Sequence, residues 1–132
     1  NVNHIYPAIL KNLETPSFYD EIIKLLDRRG FKISQECLDR DWSKKYKPHE
    51  SIEKAWLEIY KNPEPTNDLY LLGELLIEFA DIFARYRFQH FTTVERILGL
   101  KPGTGGSAGV NWLKTMASHR FFPELWSIRT DL

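Results

Sequence analysis

DLYLLGELLIEFADIFARYRFQHFTTVERIL, running from Asp68 to Leu98, is the stretch whose reading decides the fold. Its strongly apolar or aromatic positions are Leu69, Leu72, Leu76, Phe79, Phe83 and Tyr86, followed on the same line by His90, Val94 and Ile97. Every step is three or four residues, the spacing at which side chains return to one face of an α-helix. A helix of this length extends about 45 Å at 1.5 Å per residue. Thr66 or Asn67 can cap it, and Asp68 stands favourably near its positive end. Gly73 lies inside the pattern, at a cost of about 1 kcal/mol against Ala if exposed, and so points to close helix packing.

His90 falls on the apolar line, where a buried side chain is expected. Periodicity alone leaves two readings open. One is a core histidine donating to a carbonyl; the other is a ligand, since neutral imidazole commonly binds metals and is the proximal ligand of many haems.

Towards the N-terminus, Asn62-Pro63 and Pro65 form a connector that cannot continue a helix. Before it, Ile52, Ala55, Trp56, Ile59 and Tyr60 again step by three and four, predicting a helix from about Pro48 to Lys61. His49 and Glu50 are read as polar residues at its start, because no second pair stands at metal-ligand spacing. Asp39 to Lys45 reads as a solvated, charged connection, and Ser34 is placed to cap a short helix through Cys37 and Leu38. Thr15-Pro16 supplies an N-cap and a first helical proline for a helix that faces Tyr19, Ile22, Ile23 and Leu26 inward. Gly30 is placed to close that helix in a left-handed cap. Residues 1–14 read as an irregular lead-in with a short helix from Pro7 to Leu13. No run alternates with period two, so the expected fold is an all-α helical bundle around the one long helix.

The 132 residues, with 42% hydrophobic and 14% aromatic content, suffice for one buried core. Eighteen basic and eighteen acidic residues cancel, leaving no field to attract nucleic acid or an anionic membrane surface. A single cysteine, Cys37, excludes an internal disulfide, suits a reducing compartment, and reads as a small buried hydrophobe. No apolar run approaches the roughly 20 residues needed to span a bilayer, and no signal-peptide pattern opens the chain. A cytoplasmic protein with no nucleic-acid or membrane partner is expected.

Beyond the long helix comes KPGTGGSAG, Lys101 to Gly109. Gly103, Gly105 and Ala108 satisfy the G-x-G-x-x-[GA] dinucleotide pattern, but that pattern requires a preceding strand, and here a helix precedes it. No G-K-[ST] follows, so a nucleotide phosphate loop is excluded as well. A flexible linker fits the composition. Glycines also permit close backbone approach to a ligand, with N–H groups exposed ahead of a next helix near Val110 to Thr115.

RYRFQHFTTVERILGLKPGTGGSAGVNWLK (Arg85 to Lys114), FFPELWSIRT (Phe121 to Thr130) and, more weakly, PSFYDEIIKLLDRRGF (Pro16 to Phe31) resemble the C-terminal part of the tryptophan 2,3-dioxygenase family in word, order and spacing. The resemblance implies that His90 is the proximal ligand of a haem b iron, leaving the opposite position open for oxygen. It implies that the glycine loop closes over the amino-acid substrate, with Thr104 touching its ammonium or carboxylate end between Gly103 and Gly105. The implied reaction inserts O2 across the indole 2,3 bond of L-tryptophan to give N-formylkynurenine, in tryptophan catabolism by the kynurenine pathway, and the implied assembly is a tetramer. Tyr86 stands where the family word usually has Trp, Gln89 where it has Arg, and Ala108 where it has a second Ser. Arg85, Arg87, Arg120 and Arg129 are possible partners for haem propionates, since guanidinium suits carboxylates. Phe121 to Trp126 is expected as a short helix packed under the haem helix, and His4 and His119 carry no expected role.

The chain opens Asn1-Val2-Asn3 without Met, and two family words are missing: one like H-E-L-W-F with a distal histidine, one like Q-F-R-E with a carboxylate-gripping arginine. Residues 1–132 are therefore expected to be the C-terminal part of a single haem-dioxygenase domain. Its distal catalytic residues would come from a missing N-terminal half or a partner chain. Two other readings remain. Tyr86 and Gln89 suit a related histidine-ligated haem oxygenase that hydroxylates another aromatic amino acid. The helical pattern alone suits an interaction module without a cofactor.

Overall fold

The computed structural model describes residues 15–99 and 120–132. Their regular structure is α1 (Phe18–Arg28), α2 (Gln35–Leu38), α3 (Glu50–Tyr60), α4 (Asp68–Leu98), α5 (Pro123–Ser127) and a closing 3-10 turn (Ile128–Asp131). No strand occurs among the described residues, so the all-α expectation holds. They form two compact units, residues 15–70 with 124–132 and residues 71–99 with 120–123.

In the first unit, α1 starts two residues later than Thr15-Pro16 suggests. Ser17 is the N-cap: its Oγ accepts the Asp20 N–H at 3.2 Å, and the Asp20 carboxylate accepts the Ser17 N–H at 2.8 Å. A reciprocal pair satisfies two donors where a lone cap satisfies one, which favours Ser17 over Thr15. The helix ends as expected at Gly30, whose φ is +96°. The Gly30 and Phe31 N–H groups return to the carbonyls of Asp27 and Leu26, each at 3.1 Å.

Tyr19, Ile22, Ile23 and Leu26 of α1 are buried together with Ile52, Ala55, Trp56, Ile59 and Tyr60 of α3, Leu125 of α5 and Ile128. Each fully buried large side chain contributes roughly 1.5–3 kcal/mol of transfer free energy, so this unit holds the main core. His49 and Glu50 do open α3: His49 is its N-cap, and its Nδ1 accepts the Ser51 N–H at 3.0 Å. Asn67 opens α4, its Oδ1 accepting the Tyr70 N–H at 3.3 Å while its Nδ2 donates to the carbonyls of Ile59 and Asn62. Arg29 grips Asp68 with two bonds of 2.9 and 3.0 Å.

The Asp39 to Lys45 connection is not wholly solvated. Arg40 donates to both oxygens of Asp20, at 2.7 and 2.6 Å, and its guanidinium lies 5.2 Å from the Trp42 ring and 5.3 Å from the Tyr46 ring. Asp20 is only 2% exposed, and a carboxylate so buried requires a hydrogen-bonded countercharge.

The described residues of the second unit are 71–99, most of α4, and 120–123. Phe121 lies 6.1 Å from Phe79 and 5.4 Å from Phe83, and Phe122, held at φ 60°, lies 6.5 Å from Phe79. Gly73 is buried, in keeping with close packing at that point. The apolar line, however, is covered only in part. Leu69 and Leu76 are buried, while Phe79, Tyr86, His90 and Ile97 are exposed. The expectation that His90 is buried is thus overturned. Periodicity fixes which side chains share a face, and burial needs something to cover it.

Candidate functional site

His90 ends an aromatic ladder on α4. Phe79 stacks on Phe83 at 5.8 Å, Phe83 lies 6.0 Å from Tyr86, and the Tyr86 and His90 rings are nearly parallel, 9° apart in plane with centroids at 6.3 Å. The sequence makes this ladder because these residues recur every three or four positions and helical side chains so spaced meet. The imidazole is exposed, and among the described residues no hydrogen bond engages either of its ring nitrogens. A nitrogen in that condition can donate its lone pair to a metal, and the flat apolar line beside it suits the face of a planar macrocycle. Among the described residues no three His, Cys, Asp or Glu side chains gather to hold a bare metal ion. An exposed imidazole beside a flat aromatic line fits a haem in the chemistry of its side chains.

Of the four arginines, Arg85, Arg87 and Arg120 belong to the second unit. Arg87 lies 4.7 Å from the Phe83 ring and 4.8 Å from the Phe121 ring, and Arg85 pairs with Asp81 one turn earlier on α4. Arg85 and Arg120 line an open cleft of about 840 Å³ with Gln89 and Arg96. Arg129 belongs to the first unit, where it lies 4.9 Å from the Tyr60 ring. Thr104, Gly103, Gly105 and Ala108 of the glycine loop, together with His4 and His119, lie outside the described residues.

The residue that sequence reasoning passed over is Glu124, assigned there only to a structural helix. It is 0% exposed. Oε1 accepts the Tyr19 hydroxyl at 3.0 Å, and Oε2 accepts the His49 N–H at 3.0 Å together with the Tyr46 hydroxyl. Trp56 Nε1 donates to the Tyr19 oxygen at 3.1 Å, extending the network into α3. Burial pushes the Glu124 carboxyl above its ordinary range, and the bonds from Tyr46, His49 and Tyr19 pull the other way. Burial and the neighbouring carboxylate raise the Tyr19 and Tyr46 hydroxyls in turn, so both phenols keep their protons and donate. The only advance signal was a glutamate between two apolar pairs in FFPELW, a place where a charge has to find partners. Cys37 is buried, and its thiol is pushed up by burial, as a small core residue should be. No helix among the described residues is long and apolar enough to cross a membrane.

A family profile described as tryptophan 2,3-dioxygenase matches residues 11–132. The tryptophan 2,3-dioxygenase of Cupriavidus necator is 50% identical over 120 residues, which is 91% of this chain and 41% of that protein. That of Burkholderia ambifaria is 48% identical over 128 residues, 97% of this chain and 42% of that protein. A protein named tryptophan 2,3-dioxygenase 1 in Ralstonia nicotianae is 47% identical over 127 residues, 96% of this chain and 43% of that protein. The chain spans about two-fifths of the length of these curated relatives.

Proposed function

The chain belongs to the tryptophan 2,3-dioxygenase family, and from that premise we propose that residues 1–132 are the haem-bearing, C-terminal part of an oxidoreductase that converts L-tryptophan and O2 to N-formylkynurenine. The observation that carries the reading is His90: a free-facing imidazole at the end of an aromatic ladder, inside the word that matches the family. Haem b, when bound, supplies the oxygen chemistry. His90 would hold the iron, and Tyr86, parallel to its ring, limits the rotation of the imidazole. Thr104, with Gly103 and Gly105, receives the polar end of the amino acid. The remaining catalytic residues would come from the polypeptide that the relatives have in addition. A tetrameric assembly, a cytoplasmic setting and a place in the kynurenine pathway belong to the same reading, supported by family likeness alone.

The test is the visible absorption spectrum after haem addition, oxidised and then reduced under carbon monoxide, for the chain with a relative's upstream part. A spectrum typical of histidine-ligated haem, lost in His90→Ala, is the expected result. An unchanged spectrum in His90→Ala removes His90 as ligand. A haem-loaded complex that turns over another aromatic amino acid and not tryptophan removes the substrate.

A further inference from the structure

The connection between α2 and α3 is anchored at both ends by buried carboxylates. Asp20 takes the Arg40 guanidinium, whose Nη1 also donates to the carbonyls of Asp41 and Lys44 at 3.3 and 3.0 Å. Glu124 takes the Tyr46 hydroxyl and the His49 N–H. Between these anchors, α2 and the connection enclose a cleft of about 370 Å³, within the roughly 300–1,000 Å³ of small-ligand sites. Cys37, Tyr46 and Pro48 give it apolar walls, and Lys44, Lys45 and Lys47 also line it. Its two carboxylates are already engaged. Glu36 accepts from His49 Nε2 at 2.5 Å; Asp41 accepts the Ser43 N–H at 3.0 Å and the Ser43 hydroxyl at 2.6 Å, and feels the attraction of Lys44. The Lys45 and Lys47 ammonium groups, on exposed residues, enter no hydrogen bond or ion pair among the described residues.

We propose that this cleft binds a small phosphate monoester with a compact apolar body, the dianionic group meeting Lys45 and Lys47 and the body resting on Tyr46 and Pro48. Ammonium groups are compact point charges that serve phosphate well, and two of them match its two negative charges. A carboxylate monoanion satisfies one lysine and leaves the other without a partner. The lysine stems extend the apolar wall while their heads stay in water. Because the connection is held by Asp20 and Glu124 before any ligand arrives, little of it has to be ordered on binding. A long polyanion needs a cationic track that continues beyond the cleft, and the eighteen acidic residues of the chain cancel its eighteen basic ones. The cleft lies wholly in the first unit, so the proposal is independent of whether His90 binds haem.

The experiment titrates the whole chain calorimetrically with phenyl phosphate, inorganic phosphate and phenol, at two salt concentrations. Saturable one-to-one binding of phenyl phosphate is expected, tighter than that of either fragment and weakened by salt. Replacing both lysines, Lys45→Gln with Lys47→Gln, is expected to weaken it at least ~10-fold. Lys61→Gln, an exposed lysine at the far end of α3, removes one charge elsewhere and is expected to leave the affinity unchanged. Because Lys45 and Lys47 are exposed, the double variant should keep the thermal unfolding temperature of the unaltered chain. Four results overturn the proposal: no binding of phenyl phosphate; inorganic phosphate bound as tightly, which removes the apolar wall from recognition; binding indifferent to the double substitution; or an equal loss in Lys61→Gln, which would mean that net charge alone attracts the anion.

Discussion

Glu124 and His49 are joined by a hydrogen bond of 3.0 Å from the backbone N–H of one to the carboxylate of the other, 75 residues apart in sequence. One oxygen of a side chain on α5 thereby fixes the residue that caps α3. With Tyr19 and Tyr46 on the same carboxylate, α5, α1, α3 and the connection before α3 share one buried acceptor.

Glu124→Leu should therefore destabilise by about 3 kcal/mol, because it leaves two hydroxyls and an N–H without their acceptor in a buried site. Glu124→Gln, which keeps an acceptor oxygen, should lose clearly less. Urea unfolding of the three proteins checks the order, and equal losses would show that only side-chain volume matters.

The pH dependence of stability has two opposed parts. Burial pushes the Asp20 carboxyl up, but the bonds from Arg40 and Ser17 outweigh it, and its value lies below the ordinary one. Its contribution is present above the ordinary carboxylate range and is lost as pH falls through the depressed value. Glu124 is shifted the other way, so its protonated form is favoured by folding, and its contribution is lost as pH rises from the ordinary value through the raised one. Asp20→Asn should flatten the acid limb of a stability-against-pH curve, and Glu124→Gln the limb just above it. A curve unchanged by either substitution would contradict these assignments.

His90→Ala should leave stability within about 0.5 kcal/mol and helicity unchanged, since the side chain is exposed and holds nothing else in place. Far-UV circular dichroism and thermal unfolding check this, and they make any loss of haem binding in the same variant a statement about ligation. A large loss of stability would place His90 in a core.

Gly30→Ala should cost about 1 kcal/mol. An added Cβ meets nothing within 4 Å, so the whole effect comes from holding alanine at φ +96°. Chemical denaturation measures it, and no change would mean that the turn after α1 relaxes without penalty.

The local elements were legible because their causes are local. The spacing of Tyr19, Ile22, Ile23 and Leu26 placed α1, that of Ile52 to Tyr60 placed α3, and Gly30 and Asn67 marked a stop and a start within one turn of the backbone groups they serve. The start of α1 was misjudged by two residues because Ser17 and Asp20 cap each other, a reciprocal bond that outweighs the Thr15-Pro16 signal. Family words gave His90 its expected role, which periodicity alone left open.

The sequence by itself determined, for the described residues, an all-α fold and helix bounds to within a residue or two, the face of α4 that holds His90, and membership of the tryptophan 2,3-dioxygenase family. Only the tertiary structure decided that Asp20 is countered by Arg40, that Glu124 is a shared buried acceptor and that His90 faces outward. The physical reason is range. Helix periodicity and capping act across three or four residues, whereas a buried charge is satisfied by groups 20 to 105 positions away, and a face is buried only when another segment of polypeptide covers it.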